Sequence, residues 1–191
     1  MMLSYIPATV LPRISGATVL LIGALLLALL AGITDFRSRR IPNWLTVPAF
    51  ALGVASNTYF YGWAGLKASL LGALVGLGLL LPFVLLRSLG AGDWKLAGAL
   101  GAFTGSSLLI NLLLLSVLVA GVMAIMLIIY KGRLRETLRN IGHILVSLVT
   151  FQLPGHRVSL DNPDSLKVPY GVALALSVML YGAAQIPGAV R

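Results

Sequence analysis

LAGALGAFTGSSLLINLLLLSVLVAGVMAIMLIIY, residues 96–130, runs for 35 residues without a charge. As one continuous helix it would be about 50 Å long at a rise of about 1.5 Å per residue, against a hydrocarbon core of about 30 Å. It therefore reads as two helices, divided at the turn-forming TGSS of 104–107. That division decides the topology. Cutting the rest of the chain at its charges predicts spans at about 15–34, 44–62, 68–87, 94–105, 108–130 and 168–187. With six spans, every Lys and Arg except Arg13, Lys67 and Arg191 falls on one side. With five, the basic 131–167 segment would cross to the other side, against the positive-inside tendency. The expected fold is all-α: a polytopic integral membrane protein, 1–191 forming a single membrane-embedded domain of six transmembrane helices with both termini outside.

Composition agrees. The chain is 59% hydrophobic and 10% charged, with a mean hydropathy of +0.99; a soluble domain carries roughly 25% charged residues. Its 14 basic residues against 5 acidic ones give a net charge of +9. Without a soluble domain to carry a basic face, that excess records membrane orientation, and nucleic acid is not an expected partner. The absence of Cys excludes disulfides and thiolate metal sites, and His143 and His156 are too few and too far apart for a zinc site. No metal or cofactor is expected. The first apolar run ends in TDFRSRR, 34–40, without a small-residue cleavage site, so it reads as a retained helix and not as a cleaved signal.

Between the fifth and sixth spans, RLRETLRNIGHILVSLVTF (133–151) places Leu134, Leu138, Ile141, Leu145 and Leu148 at helical spacing. This predicts an amphipathic helix on the cytoplasmic surface, with a partly buried hairpin as the alternative. The following LPGHRVSLDNPDSLKVPYG (153–171) is rich in turn formers, and Asp161 and Asp164 read as solvated turn residues. Small residues four apart, Gly72 and Gly76 in the third span and Ala97, Gly101 and Gly105 in the fourth, predict close helix packing. Pro82 is expected at most to kink the third span.

Topology sorts the acids. Glu136, Asp161 and Asp164 fall in the aqueous loop, whereas Asp35 ends the first span and Asp93 opens the fourth, on the same membrane face. Capping accounts adequately for Asp93, because an acid near a helix N-terminus is favoured by the macrodipole. It accounts poorly for Asp35, which stands at a helix C-terminus, although RSRR beside it can neutralise the charge. Two carboxylates brought together at the edge of a low-dielectric region cannot both ionise cheaply; one keeps a proton, and the pair is an acid and a base in one site. Such a pair can activate water against a peptide carbonyl. No other nucleophile is evident, since there is no Cys and no Ser placed with a His. The residues alone leave three readings open: a catalytic pair, a proton or cation pathway, and structural caps.

Two motifs narrow the choice. GAGDWK, 90–95, resembles the G-x-G-D-x-K motif of type IV prepilin peptidases, and DFRSRRIPN, 35–43, resembles their first motif, in which I-P-N follows the aspartate. The two stand in order at the cytoplasmic ends of the first and fourth of six spans, and the resemblance covers essentially the whole chain. KVPYG, 167–171, looks like the proline-containing segment before the last span in the short, tight-adherence-pilus members. The resemblance implies an aspartic endopeptidase of the GxGD class in a prokaryotic inner membrane, with Asp35 and Asp93 as its catalytic dyad facing the cytoplasm. The implied partner is a type IV pilin or pilin-like precursor with a short basic leader and an apolar N-terminal helix, cut typically after a glycine.

The surrounding motif residues carry physical expectations of their own. Gly90 and Gly92 can adopt positive φ and approach a substrate strand or the partner helix closely. Lys95 can orient or tune the pair, or simply anchor the orientation. Pro42 restricts Ile41 to extended geometry and Asn43 can cap the second span, so that Ile41, Pro42 and Asn43 support the loop of Asp35. Arg37, Arg39 and Arg40 read first as orientation anchors. The chain lacks the four zinc-binding cysteines that longer members of the family usually carry in an extra segment linked to N-methylation, and it has no room for that segment before its first span, so leader cleavage without methyl transfer is expected. Rival readings are a small transporter or proton conductor, a purely structural membrane subunit, and a presenilin-like intramembrane protease. In that last class the first aspartate follows Tyr deep in a helix; here it follows Thr34 at the membrane edge.

Overall fold

A computed structural model describes residues 15–86, 89–132, 139 and 168–185. The amphipathic helix expected at 133–151, all but Arg139, lies outside the described residues, as do Glu136, His143, His156, Asp161 and Asp164. Four helical elements follow in order: α1 (Gly16–Ser38), α2 (Asn43–Leu85), α3 (Ala91–Tyr130) and α4 (Tyr170–Ala184). The first three are long and apolar enough to cross a membrane. Their outward faces are apolar, as lipid requires: Leu26, Leu74, Leu114, Leu118 and Met126 are all exposed.

α2 and α3, of 43 and 40 residues, are each interrupted by one glycine: Gly62 at φ 59°, ψ −138° and Gly105 at φ 71°, ψ 177°. Only a residue without Cβ takes these angles cheaply. The chain reverses at both points. Asn57 and Ser69, on either side of Gly62, both donate to the Ala102 carbonyl, at 2.7 and 2.8 Å. Likewise a Cβ on Gly76 would meet both Ala97 and Leu109, which flank Gly105. The expected break within 104–107 is therefore real, whereas 63–67, expected as a connection, is helical. A charge is a poor marker for a turn here because Lys67 holds its ammonium 5.7 Å above the Trp63 ring while remaining in the helix.

The small-residue stripes meet as expected. Gly72 and Gly101 lie backbone to backbone, each leaving no room for a Cβ on the other, and Gly76 rests on the Ala97 carbonyl. α2 and α3 thus form the most extensive pairing, and α4 lies against α1 and α3. α1 presents one continuous face, Leu20, Ala24, Leu27, Ala28, Ala31 and Gly32, to the interior, and the next buried residue on that face is Asp35. The bundle therefore has two distinct ends. Gly62, Gly105 and the start of α1, where Gly16 meets Phe60, form one. The end of α1, the starts of α2, α3 and α4, and both aspartates form the other.

Candidate active site

Asp35 arrives in the last turn of α1, and its backbone carbonyl accepts the Arg39 N–H at 2.8 Å. Arg39 takes the left-handed region, φ 50°, which turns the chain towards α2. The side chain of Asp35 is buried, 7% exposed, and the Arg39 charge is close enough to offset part of its own. Its main partner comes from the far end of the chain: Oδ2 accepts the Val172 N–H at 3.2 Å, and the Gly171 N–H is turned to the same carboxyl. These two donors occupy the second and third positions of α4, whose N-cap residue, Pro169, has no side-chain acceptor to offer. Asp35 thus satisfies from α1 the donors that an Asp or Ser N-cap would ordinarily satisfy locally. Its position at the C-terminus of α1, unfavourable by itself, is offset by the N-terminus of α4.

Asp93 occupies the third position of α3, with Gly90 at the N-cap. The Gly90 N–H reaches its carboxyl, in the reciprocal manner of a capping box, and a Cβ on Gly90 would stand 3.1 Å from Oδ2. The other oxygen, Oδ1, is buried and has no hydrogen-bond partner among the described residues. Capping therefore employs one oxygen of Asp93 and leaves the other unused. Buried polar atoms are rarely left in that state. The two carboxylates lie close enough to repel each other.

Between the aspartates stands a cleft of about 360 Å³, lined by Asp35, Arg39, Arg40, Ile41, Asn43, Gly90, Ala91, Gly92, Asp93 and Lys95. Of Ile41, Pro42, Asn43, Gly90, Gly92 and Lys95, all line it except Pro42, which is the extended N-cap of α2; Arg37 does not line it. Ile41 is the wedge that joins the parts: a Cβ on Gly92 would stand 3.1 Å from Ile41 Cβ, and one on Gly171 would stand 2.9 Å from Ile41 Cδ1. Gly92 is thus required for close approach, as expected. Neither Gly90 nor Gly92 uses positive φ, which among the described glycines is confined to Gly62, Gly105 and Gly132. Asn43 does not cap α2 either. It is the first helical residue, and its Oδ1 accepts from Lys95 Nζ at 2.9 Å, tying the start of α2 to that of α3.

Residues 20–125, more than half of the chain, match the sequence model of the Type IV leader peptidase family. The chain belongs to that family. The matched stretch contains both aspartates of this leader peptidase family member and ends well before α4. The chain matches no curated protein, and no solved structure.

α4 contributes what sequence reading missed. Besides the N–H groups of Gly171 and Val172, Tyr170 places its hydroxyl 2.8 Å from Ser116 Oγ and close enough to Asp93 for the two charges to interact on ionisation. The visible signal was KVPYG, with a proline and a small residue at the mouth of an apolar run. A backbone N–H donor has no side-chain signature, and nothing in the spacing tied it to Asp35.

Proposed function

We propose that this leader peptidase family member is an aspartic endopeptidase that removes the leader of type IV prepilin-like precursors at the cytoplasmic face of a prokaryotic inner membrane. The observation that carries the reading is the convergence of the two aspartate motifs, distant in sequence, on one cleft. Asp35, supplied with N–H donors, holds the negative charge of the pair most cheaply. Asp93, with one oxygen unpartnered, holds the shared proton there. Asp35 takes a proton from water as the water oxygen attacks the scissile carbonyl carbon, and Asp93 donates its proton to the carbonyl oxygen. Collapse of the tetrahedral adduct breaks the C–N bond. The proton gained by Asp35 passes to the departing amine, and Asp93 recovers its own from the collapsing hydroxyl.

The orientation follows from the same end of the molecule. Arg37, Arg39, Arg40, Lys95 and Lys131 gather at the aspartate end, which the positive-inside tendency assigns to the cytoplasm. The reversals at Gly62 and Gly105 support reading α2 and α3 as two spans each, which with α1 and α4 is the six-span arrangement proposed here. A precursor held by its own apolar helix then reaches the cleft already oriented, so the membrane supplies part of the entropic cost of positioning. With no Cys in its 191 residues, the chain is proposed to cleave without methylating the product. A proton or cation relay is the weaker reading: the core below the cleft is Leu96, Ala97, Leu100 and Phe103, with no Asp, Glu, His, Lys or Arg in the core cluster among the described residues.

Co-expression with a tight-adherence-type prepilin, followed by mass spectrometry of the pilin N-terminus, tests the proposal. Removal of the leader after glycine to leave an unmethylated N-terminus is the expected result. An uncut precursor across several prepilins, with the enzyme inserted, would refute the substrate class.

A further inference from the structure

Beyond the stretch that matches the family model, the start of α4, at KVPYG, packs against Asp35 and Ile41, two of the residues that line the cleft. A Cβ on Gly171 would stand 2.8 Å from Asp35 Oδ2, 3.0 Å from Asp35 Cγ and 2.9 Å from Ile41 Cδ1. The position tolerates no side chain without moving the carboxyl or the Ile41 wedge. One residue on, the Val172 N–H donates to Asp35 Oδ2 at 3.2 Å. One residue before, Tyr170 is fixed by Ser116, which stands on the half of α3 beyond Gly105. Three consecutive residues thus address the aspartate of α1, the wedge before α2 and the returning half of α3. Further along α4, Gly182 packs on Leu25 of α1, which fixes the helix lengthwise.

We propose that the N-terminus of α4 is the positioning element of the site, with Gly171 the residue that lets its N–H groups seat the Asp35 carboxyl. The inference rests on the peptidase reading of Asp35 and Asp93. It makes α4 the support behind Asp35, outside the cleft lining itself. Gly171 is a positioning residue that acts through Asp35 and touches no reacting atom. A Cβ there forces the Asp35 carboxyl or Ile41 to move, and misplacing a reacting group by about 1 Å costs about 10²-fold in rate. Because it also disturbs the donors that favour the ionised form, it changes the pH dependence of the pair.

The chain has no native Cys, so engineered pairs report proximity without background. Asp35→Cys with Gly171→Cys tests the seat, and Leu25→Cys with Gly182→Cys tests the docking of α4 independently of activity. Both pairs are expected to form an intramolecular disulfide under mild oxidation. Failure of the first while the second forms overturns the inference. On prepilin in proteoliposomes, Gly171→Ala is expected to lower kcat about 10²-fold with KM unchanged and to move the pH–kcat profile. Leu180→Ala, at an exposed position of the same helix, should leave both in place. Wild-type kcat and profile for Gly171→Ala overturn the inference even if the disulfide forms. Should wild type itself cleave no prepilin, the peptidase reading fails, and the first cysteine pair alone decides whether α4 seats Asp35.

Discussion

The two ends of the bundle handle buried polarity in opposite ways. At the Gly105 end, the break in α3 frees the last carbonyls before the glycine, and they are satisfied: Asn57 donates to Ala102 O at 2.7 Å and Phe103 O at 3.2 Å, and Ser69 donates to Ala102 O at 2.8 Å. Both side chains are buried, and both are fully accounted for by closing a helix end. At the aspartate end, two carboxylates repel each other and two buried oxygens, Thr46 Oγ1 and, in the cleft, Asp93 Oδ1, lack a partner among the described residues. A fold selected for stability alone would not retain the Asp93 oxygen. The satisfied end holds the hairpins together, and the unsatisfied end is where we propose that substrate groups complete the hydrogen bonding.

This contrast can be broken at either end. Asp35→Asn and Asp93→Asn remove the proposed base or acid and are expected to lower leader cleavage by roughly 10²–10⁴-fold. The same changes should leave resistance to unfolding in detergent unchanged or raised, because a repulsion is relieved. A loss of folded protein in both variants would make the pair structural. Gly101→Val meets the Gly72 backbone directly and should cost several kcal/mol of stability, beyond the about 1–3 kcal/mol of ordinary overpacking. Activity should fall only in proportion to the folded fraction.

Asn57→Ala leaves carbonyls of α3 unpaired and should cost about 1–3 kcal/mol, measured by denaturation in mixed micelles, while the pH–kcat profile of the surviving enzyme stays in place. That profile itself should be bell-shaped. With both carboxyls protonated at low pH no base remains, and with both ionised at high pH no acid remains, so activity requires the singly protonated pair. A rate that climbs to a plateau at high pH would contradict a shared proton. The smallest effect is expected at the exposed Lys95–Asn43 bond, where Lys95→Met should cost less than about 1 kcal/mol of stability.

How far the residues announced this arrangement depended on whether the feature had a side-chain signature. Topology placed Asp35 and Asp93 on one membrane face, the family resemblance of their two motifs singled out Ile41 and Gly92 beside them, and the cleft contains all four. The break at Gly105 was legible from length, since 35 uncharged residues exceed one span. The break at Gly62 was misplaced towards Lys67 because a charge was taken as the turn, whereas the lysine snorkels over Trp63 and the glycine bends. Asn43 was given a cap because Asn commonly caps, but Pro42 already supplies the extended residue, and the amide is left to bind Lys95. The seat of Asp35 on α4 was illegible. Its main-chain donors leave no side-chain pattern, and Gly171, visible in KVPYG, carried nothing that tied it to Asp35.

The central claim, that Asp35 and Asp93 act as one proton-sharing unit, is tested most directly by a double-mutant cycle on leader cleavage in proteoliposomes. The rates of Asp35→Asn, Asp93→Asn and the double variant are compared at one pH and equal inserted protein. Residues acting as a unit are expected to be strongly non-additive, the double variant losing no more than either single one. Losses that multiply, or a single variant that cleaves as fast as wild type, would contradict the account.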